Sequence, residues 1–183
     1  MDAAQGNSLM MYVRTYTRRE PHVVGKSAGI QICQFDANTG EISFGETTTG
    51  VVNPSFLAIH PSRRFLYSVS EMGERIEGRP AGGIAAFQID PDTGALTALN
   101  LQPSGGTGPC HLVVDGTGHY VLATNYASGG VVVLPIHPDG SLGPATDYLQ
   151  HEGSSVNPQR QQEPHPHSIN LDASNKFALV PDL

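Results

Sequence analysis

Apolar residues along this chain come in short runs broken by polar turns, and the runs repeat. One set starts on a proline: Pro54-Ser55-Phe56-Leu57-Ala58-Ile59-His60, Pro109-Cys110-His111-Leu112-Val113-Val114-Asp115 and Pro166-His167-Ser168-Ile169-Asn170-Leu171-Asp172. Each is followed by a polar turn and a second apolar run. Another set alternates with it, from Gly29-Ile30 to Phe35-Asp36, from Gly83-Ile84 to Ile89-Asp90, and from Gly130-Val131 to Ile136-His137. The starts lie 55 and 57 residues apart in the first set and 54 and 47 in the second. Periods in this range mark a repeat architecture, in which each unit buries its face against the next. No segment carries a helical period. Asp-x-x-Thr-Gly and Asp-Gly turns separate the runs, which therefore predict β-strands.

The second unit predicts four strands, at residues 55–59, 65–70, 83–89 and 95–101. The third repeats them at 110–114, 120–125 and 131–136, with a weaker fourth near 145–149. Upstream, residues 10–17 match the second run of the later units, so the chain enters its first unit partway through. Residues 18–22 read as a solvated loop, and strands at 29–35 and 41–48 follow. The last unit supplies two strands. Four-stranded antiparallel units of about 40–55 residues are the mark of propeller blades, whereas the competing solenoid of parallel coils has shorter repeats without tight hairpins. The predicted fold is all-β: a β-propeller of four-stranded antiparallel blades, here an incomplete ring of about three to four blades. Residues 1–9 read as a disordered leader and residues 10–183 as a partial propeller domain.

Composition narrows the function. A net charge of −7 and a pI near 5.5 argue against a nucleic-acid partner or an anionic membrane surface, both of which need a basic face. The N-terminus lacks the basic start and apolar core of a signal peptide, and no apolar run approaches the ~20 residues that span a bilayer, so a cytoplasmic protein is expected. Cys33 and Cys110 have neither metal-ligand nor redox spacing and are expected to be reduced. No cofactor is called for.

Antiparallel pairing of the first two strands of a blade sets the start of one against the end of the other. This brings Phe56 near Glu71, His111 near Asn125 and Tyr126, and His167 near Asp182, all on one rim. The connections at 102–108 and 150–166 lead into that rim. The second has 17 residues, including His151, Asn157, Arg160 and His165, and loops of that length are usually functional or disordered. Structural alternatives stand beside these candidates. His111 can bond a backbone carbonyl at a blade start, Glu71, Asn125 and Asp182 can cap strand-end amides, and Arg160 can be a solvated loop residue. A metal held by His151, His165 and His167 would need a bend, because residues two apart alternate faces in an extended chain; no metal is assigned.

Several stretches in register resemble one family. They are Thr15-Tyr16-Thr17, Asn53-Pro54-Ser55-Phe56-Leu57-Ala58-Ile59-His60-Pro61, Gly108-Pro109-Cys110-His111-Leu112, Thr124-Asn125-Tyr126-Ala127-Ser128-Gly129, Gly153-Ser154-Ser155-Val156-Asn157-Pro158 and Pro164-His165-Pro166-His167-Ser168. Together they resemble the 6-phosphogluconolactonase-like family of seven-bladed β-propeller lactonases, from about Met11 to the last residue. The resemblance implies a small-molecule lactone of a sugar acid as substrate, bound at one mouth of the central channel. A relative of the same fold is a carboxymuconate-lactonizing enzyme. His167 then becomes the first choice of general base and His111 the second, since an imidazole titrates near working pH. Arg160 is expected to hold an anionic substituent, and Asn125, Tyr126, Glu71, His165 and Asp182 to line the substrate. Two departures stand out. Arg14 occupies a place where the family usually has Gly, and the chain is about half the family's length. It reads as a fragment whose blade edges would be open to self-association.

Overall fold

A computed structural model describes residues 8–76 and 78–183. Among these the chain is strand, turn and loop, and no helix is long and apolar enough to cross a membrane. The first blade contains β1 (Ser8–Val13), a small hairpin of β2 (Arg19–Glu20) and β3 (Val23–Val24), then β4 (Ile30–Asp36) and β5 (Ile42–Thr48). Its sheet order is β1-β4-β5. The second blade has β6 (Leu57–Ile59), β7 (Phe65–Ser70), a second small hairpin of β8 (Arg75–Ile76) and β9 (Arg79–Pro80), β10 (Gly83–Ile89) and β11 (Leu96–Pro103). The third is β12 (Pro109–Val114), β13 (Tyr120–Asn125), β14 (Gly130–Pro135) and β15 (Asp147–Gln150). Both form four-stranded antiparallel meanders, β6-β7-β10-β11 and β12-β13-β14-β15. A two-stranded sheet follows, β16 (Asn170–Leu171) with β17 (Ala178–Leu179).

The propeller expectation is borne out, and β7, β10 and β13 have the predicted bounds. Other strand ends shift by one or two residues, and the larger differences lie in the first blade. β1 begins at Ser8, because Ser8 and Leu9 pair with Asp36 and Phe35, while residues 1–7 of the expected leader lie outside the described residues. It ends at Val13, where the chain leaves the sheet; Thr15 N then donates to Pro54 O at 3.0 Å and its hydroxyl to Gly29 O at 2.6 Å. Part of the expected loop at 18–22 forms the β2–β3 hairpin.

The core lies between blades. β7 reads Phe-Leu-Tyr-Ser-Val-Ser and is buried along its whole length because both of its faces are covered. Phe65, Tyr67 and Val69 pack with Leu112, Val121, Val132 and Leu134 of the third blade, and Leu66 packs on the opposite side with Ile30, Val51 and Phe87. Each such side chain contributes roughly 1.5–3 kcal/mol of burial. Tyr67 keeps its hydroxyl satisfied by donating 3.0 Å to Gly140 O.

One end of every hairpin is closed by a polar turn. Gly40 and Gly94 take φ of 78° and 73°, the left-handed conformation expected of Gly in Asp-x-x-Thr-Gly. In these turns Asp36 and Asp90 accept from backbone N–H groups two and three residues on. The opposite end carries the long connections and the site.

Candidate functional site

A cleft of about 670 Å³ opens at this rim. It is bordered by the residues after β1, by the starts of the second, third and fourth blades, and by the β7–β10 connection. Ser55, Cys110 and His167, the residues that follow the three aligned prolines, all line it. Glu71 organises one wall: Oε2 accepts from the hydroxyl of Tyr16 at 3.0 Å and from the hydroxyl of Ser55. Burial and the adjacent Glu71 carboxylate push the Tyr16 phenol up to about 12, so it remains a donor at neutral pH. Since its proton goes to Glu71, the Tyr16 oxygen accepts from His22 Nε2 at 3.3 Å.

Arg14 also lines the cleft. Its guanidinium donates to Ser55 O at 3.1 Å and lies over the Phe56 ring, 5.1 Å from the centroid. Arg14 leaves the strand intact, since β1 has already ended at Val13. Ser55 thus turns its carbonyl to a cation and its hydroxyl to an anion.

Asn53 is wholly buried, with φ of 44°. Its side-chain oxygen accepts from Thr17 N at 3.0 Å and Arg18 N at 3.2 Å. Its amide donates to Glu20 at 2.6 Å and to Glu71 O at 3.1 Å. Asn53 therefore fixes the loop that delivers Tyr16 and His22.

Of the predicted site residues, His167, Glu71 and Tyr126 line the cleft. His167 is exposed and meets the edge of the Tyr126 ring, 5.4 Å between centroids. His111 lies behind Phe56, at 3.8 Å between ring centroids, and its Nδ1 accepts from Ile169 N at 3.3 Å. Burial first, then the nearby charges of Arg14 and His167, hold its pKa below the ordinary value. His165 stacks on Tyr126 at 4.7 Å and donates from Nδ1 to Tyr126 O at 3.0 Å.

Three candidates stand away from the cleft. Asn125 is wholly buried and donates to Ser104 O at 3.0 Å, bracing the β11–β12 connection. Asp182 accepts from His165 N at 2.8 Å and faces His151 at 3.4 Å. It is Pro181 O that accepts from His167 N, at 3.1 Å. Arg160 is exposed on a loop that closes on itself, where Arg160 N and Gln161 N both donate to Asn157 O. His151, His165 and His167 face different partners, and among the described residues no three His, Cys, Asp or Glu side chains gather as metal ligands. The chain reading did not assign Arg14, Tyr16, His22 or Ser55 to the site. Tyr16 and Ser55 lie within the stretches that carry the family resemblance, which was the available signal.

The pattern of the family described as "Lactonase, 7-bladed beta-propeller" matches residues 10–183. The chain belongs to that family. It is 35% identical over 172 residues to a 6-phosphogluconolactonase of Bacillus subtilis (strain 168), which covers 94% of this chain and 46% of that protein. A crystal structure from Bacteroides fragilis NCTC 9343 superposes with a TM-score of 0.87 at 32% identity, over 100% of this chain and 47% of that one. The periplasmic gluconolactonase of Pseudomonas aeruginosa does so with a TM-score of 0.83 at 29% identity, over 96% and 47%. The chain thus spans about half the length of the curated relatives it matches.

Proposed function

We propose that this rim is the mouth of a lactonase that hydrolyses a sugar-acid lactone, with 6-phosphogluconolactone as the substrate and 6-phosphogluconate as the product. The observation that carries the reading is the cleft itself. It joins an exposed imidazole, His167, to a carboxylate that orders two hydroxyls, in a chain whose named relatives are lactonases. His167 takes a proton from water, and the water oxygen attacks the lactone carbonyl. The Tyr126 phenol, on the same side of the cleft, donates to the developing oxyanion. As the tetrahedral intermediate collapses, the carbonyl carbon–ring oxygen bond breaks and the leaving alkoxide takes the proton held by His167, giving the hydroxy acid. Glu71, with Tyr16 and Ser55, receives the sugar hydroxyls.

His167→Ala is expected to lower kcat by ~10²–10⁴ while KM changes little, once spontaneous lactone opening is subtracted. Unchanged turnover in a folded variant removes His167 from the mechanism and leaves His111 as the next base to test. Turnover of an unsaturated dicarboxylate lactone in place of the sugar lactone would move the reading to the carboxymuconate type. Turnover of neither would leave a binding scaffold.

A further inference from the structure

Taking the cleft to be a lactone site, we propose that Arg14 selects for lactones that carry an anionic substituent, a phosphate ester or a carboxylate, over neutral ones. Two arginines stand at the start of the rim, and their surroundings differ in kind. Arg18 has its charge met by Glu20 at 2.8 Å and Glu74 at 2.9 Å. Arg14 is held by a backbone carbonyl and an aromatic face, which fix the guanidinium without neutralising it. Among the described residues Arg14 has no carboxylate within ion-pair distance, and it is the one Lys or Arg lining the cleft.

Only one of its five N–H groups is engaged by the protein, so a two-toothed edge remains for an oxyanion. Glu20 and Glu71 also line the cleft, with Glu71 on the hydroxyl side of Ser55 and Arg14 on its carbonyl side. A ligand with an anion at one end and hydroxyls at the other can therefore seat in one direction only, with Ser55 at the division. Reversed, its anion would meet two carboxylates. This places at Arg14 the role expected of Arg160, which lies outside the cleft.

The test compares 6-phosphogluconolactone with the unphosphorylated glucono-lactone on the intact protein and on Arg14→Gln. The ratio of their kcat/KM values is expected to fall about 10- to 100-fold, through KM for the phosphorylated lactone rather than through kcat. Arg14→Lys, which keeps the charge and loses the fork, should recover part of the ratio. An equal fall for both lactones, or an unchanged ratio, overturns the proposal. Calorimetry with 6-phosphogluconate on the wild type and Arg14→Gln separates it from the lactonase reading, because binding needs no turnover. If neither lactone is hydrolysed but 6-phosphogluconate binds the wild type about 10- to 100-fold more tightly than it binds Arg14→Gln, the reaction is wrong and the selectivity stands. If 6-phosphogluconate binds the wild type and Arg14→Gln alike, the selectivity is wrong.

Discussion

The two ends of the blades are built on different principles. At the end remote from the cleft, Asp36, Asp90 and Asp172 accept from N–H groups two to five residues on, and side chains such as Tyr12, His60 and Asn175 add bonds to turns of a neighbouring unit. At the rim the decisive bonds join residues far apart in the chain, 36 positions for Asn53 with Thr17, 41 for Arg14 with Ser55 and 55 for Tyr16 with Glu71. A local turn forms as soon as its strands do. The rim forms only when several units have docked, because each long-range contact must first meet its loop-closure cost. The same blade thus shapes its base chiefly through local turns and its working surface through distant contacts.

The contrast can be broken most directly at Asn53. Asn53→Ala leaves the N–H groups of Thr17 and Arg18 without their buried acceptor and is expected to cost about 2–4 kcal/mol in urea unfolding. A loss below about 1 kcal/mol would show that the rim does not depend on this bracket. Tyr16→Phe removes one hydrogen bond to a carboxylate and should cost less, about 1–2 kcal/mol, with catalysis impaired if Glu71 loses its orientation.

The smallest effect belongs to the turn end, at Asp115. Burial opposes its charge, but bonds from the Thr117 hydroxyl, the N–H groups of Tyr120 and Thr117, and Asn175 overcome this and bring its pKa down to about 2. A free aspartate titrates near ~3.9. The folded-state pKa is the depressed one, so the stabilisation is complete above about pH 4 and is lost as pH falls toward about 2. The gap in Tm between wild type and Asp115→Asn should therefore narrow on acidification from about pH 6 to about pH 3. A gap independent of pH would count against the charged-turn account.

The contrast also explains what the chain disclosed before folding. Propeller blades, the bounds of β7, β10 and β13, and the shared level of Ser55, Cys110 and His167 follow from period, turn residues and antiparallel register, all of which are local or repeating. The β2–β3 and β8–β9 hairpins sit at equivalent places in the first two blades, but strands of two residues carry no apolar alternation to announce them. Arg14, Tyr16 and His22 reach the cleft through contacts with Ser55, Glu71 and one another, and separations of that order leave no trace in a window of sequence. Asn125 and Asp182 were legible as rim residues with amide capping as the alternative role; Asp182 does accept from an amide, that of His165, whereas Asn125 donates to a carbonyl, that of Ser104. Which way a strand-end side chain turns depends on the loop beside it, here Ser104 for the first and His165 for the second. Arg160 followed from loop length alone, which says nothing of where a loop folds back.

The unneutralised guanidinium of Arg14 has a consequence for ionic strength. This chain carries a net charge of −7, so under the selectivity proposed above an anionic lactone approaches a surface of its own sign and finds attraction only at close range. Dissolved ions act on both distances at once, since the Debye length is about 8 Å at physiological salt. Raising salt relaxes the repulsion that slows encounter and screens the contact that retains the ligand, so association quickens while residence shortens.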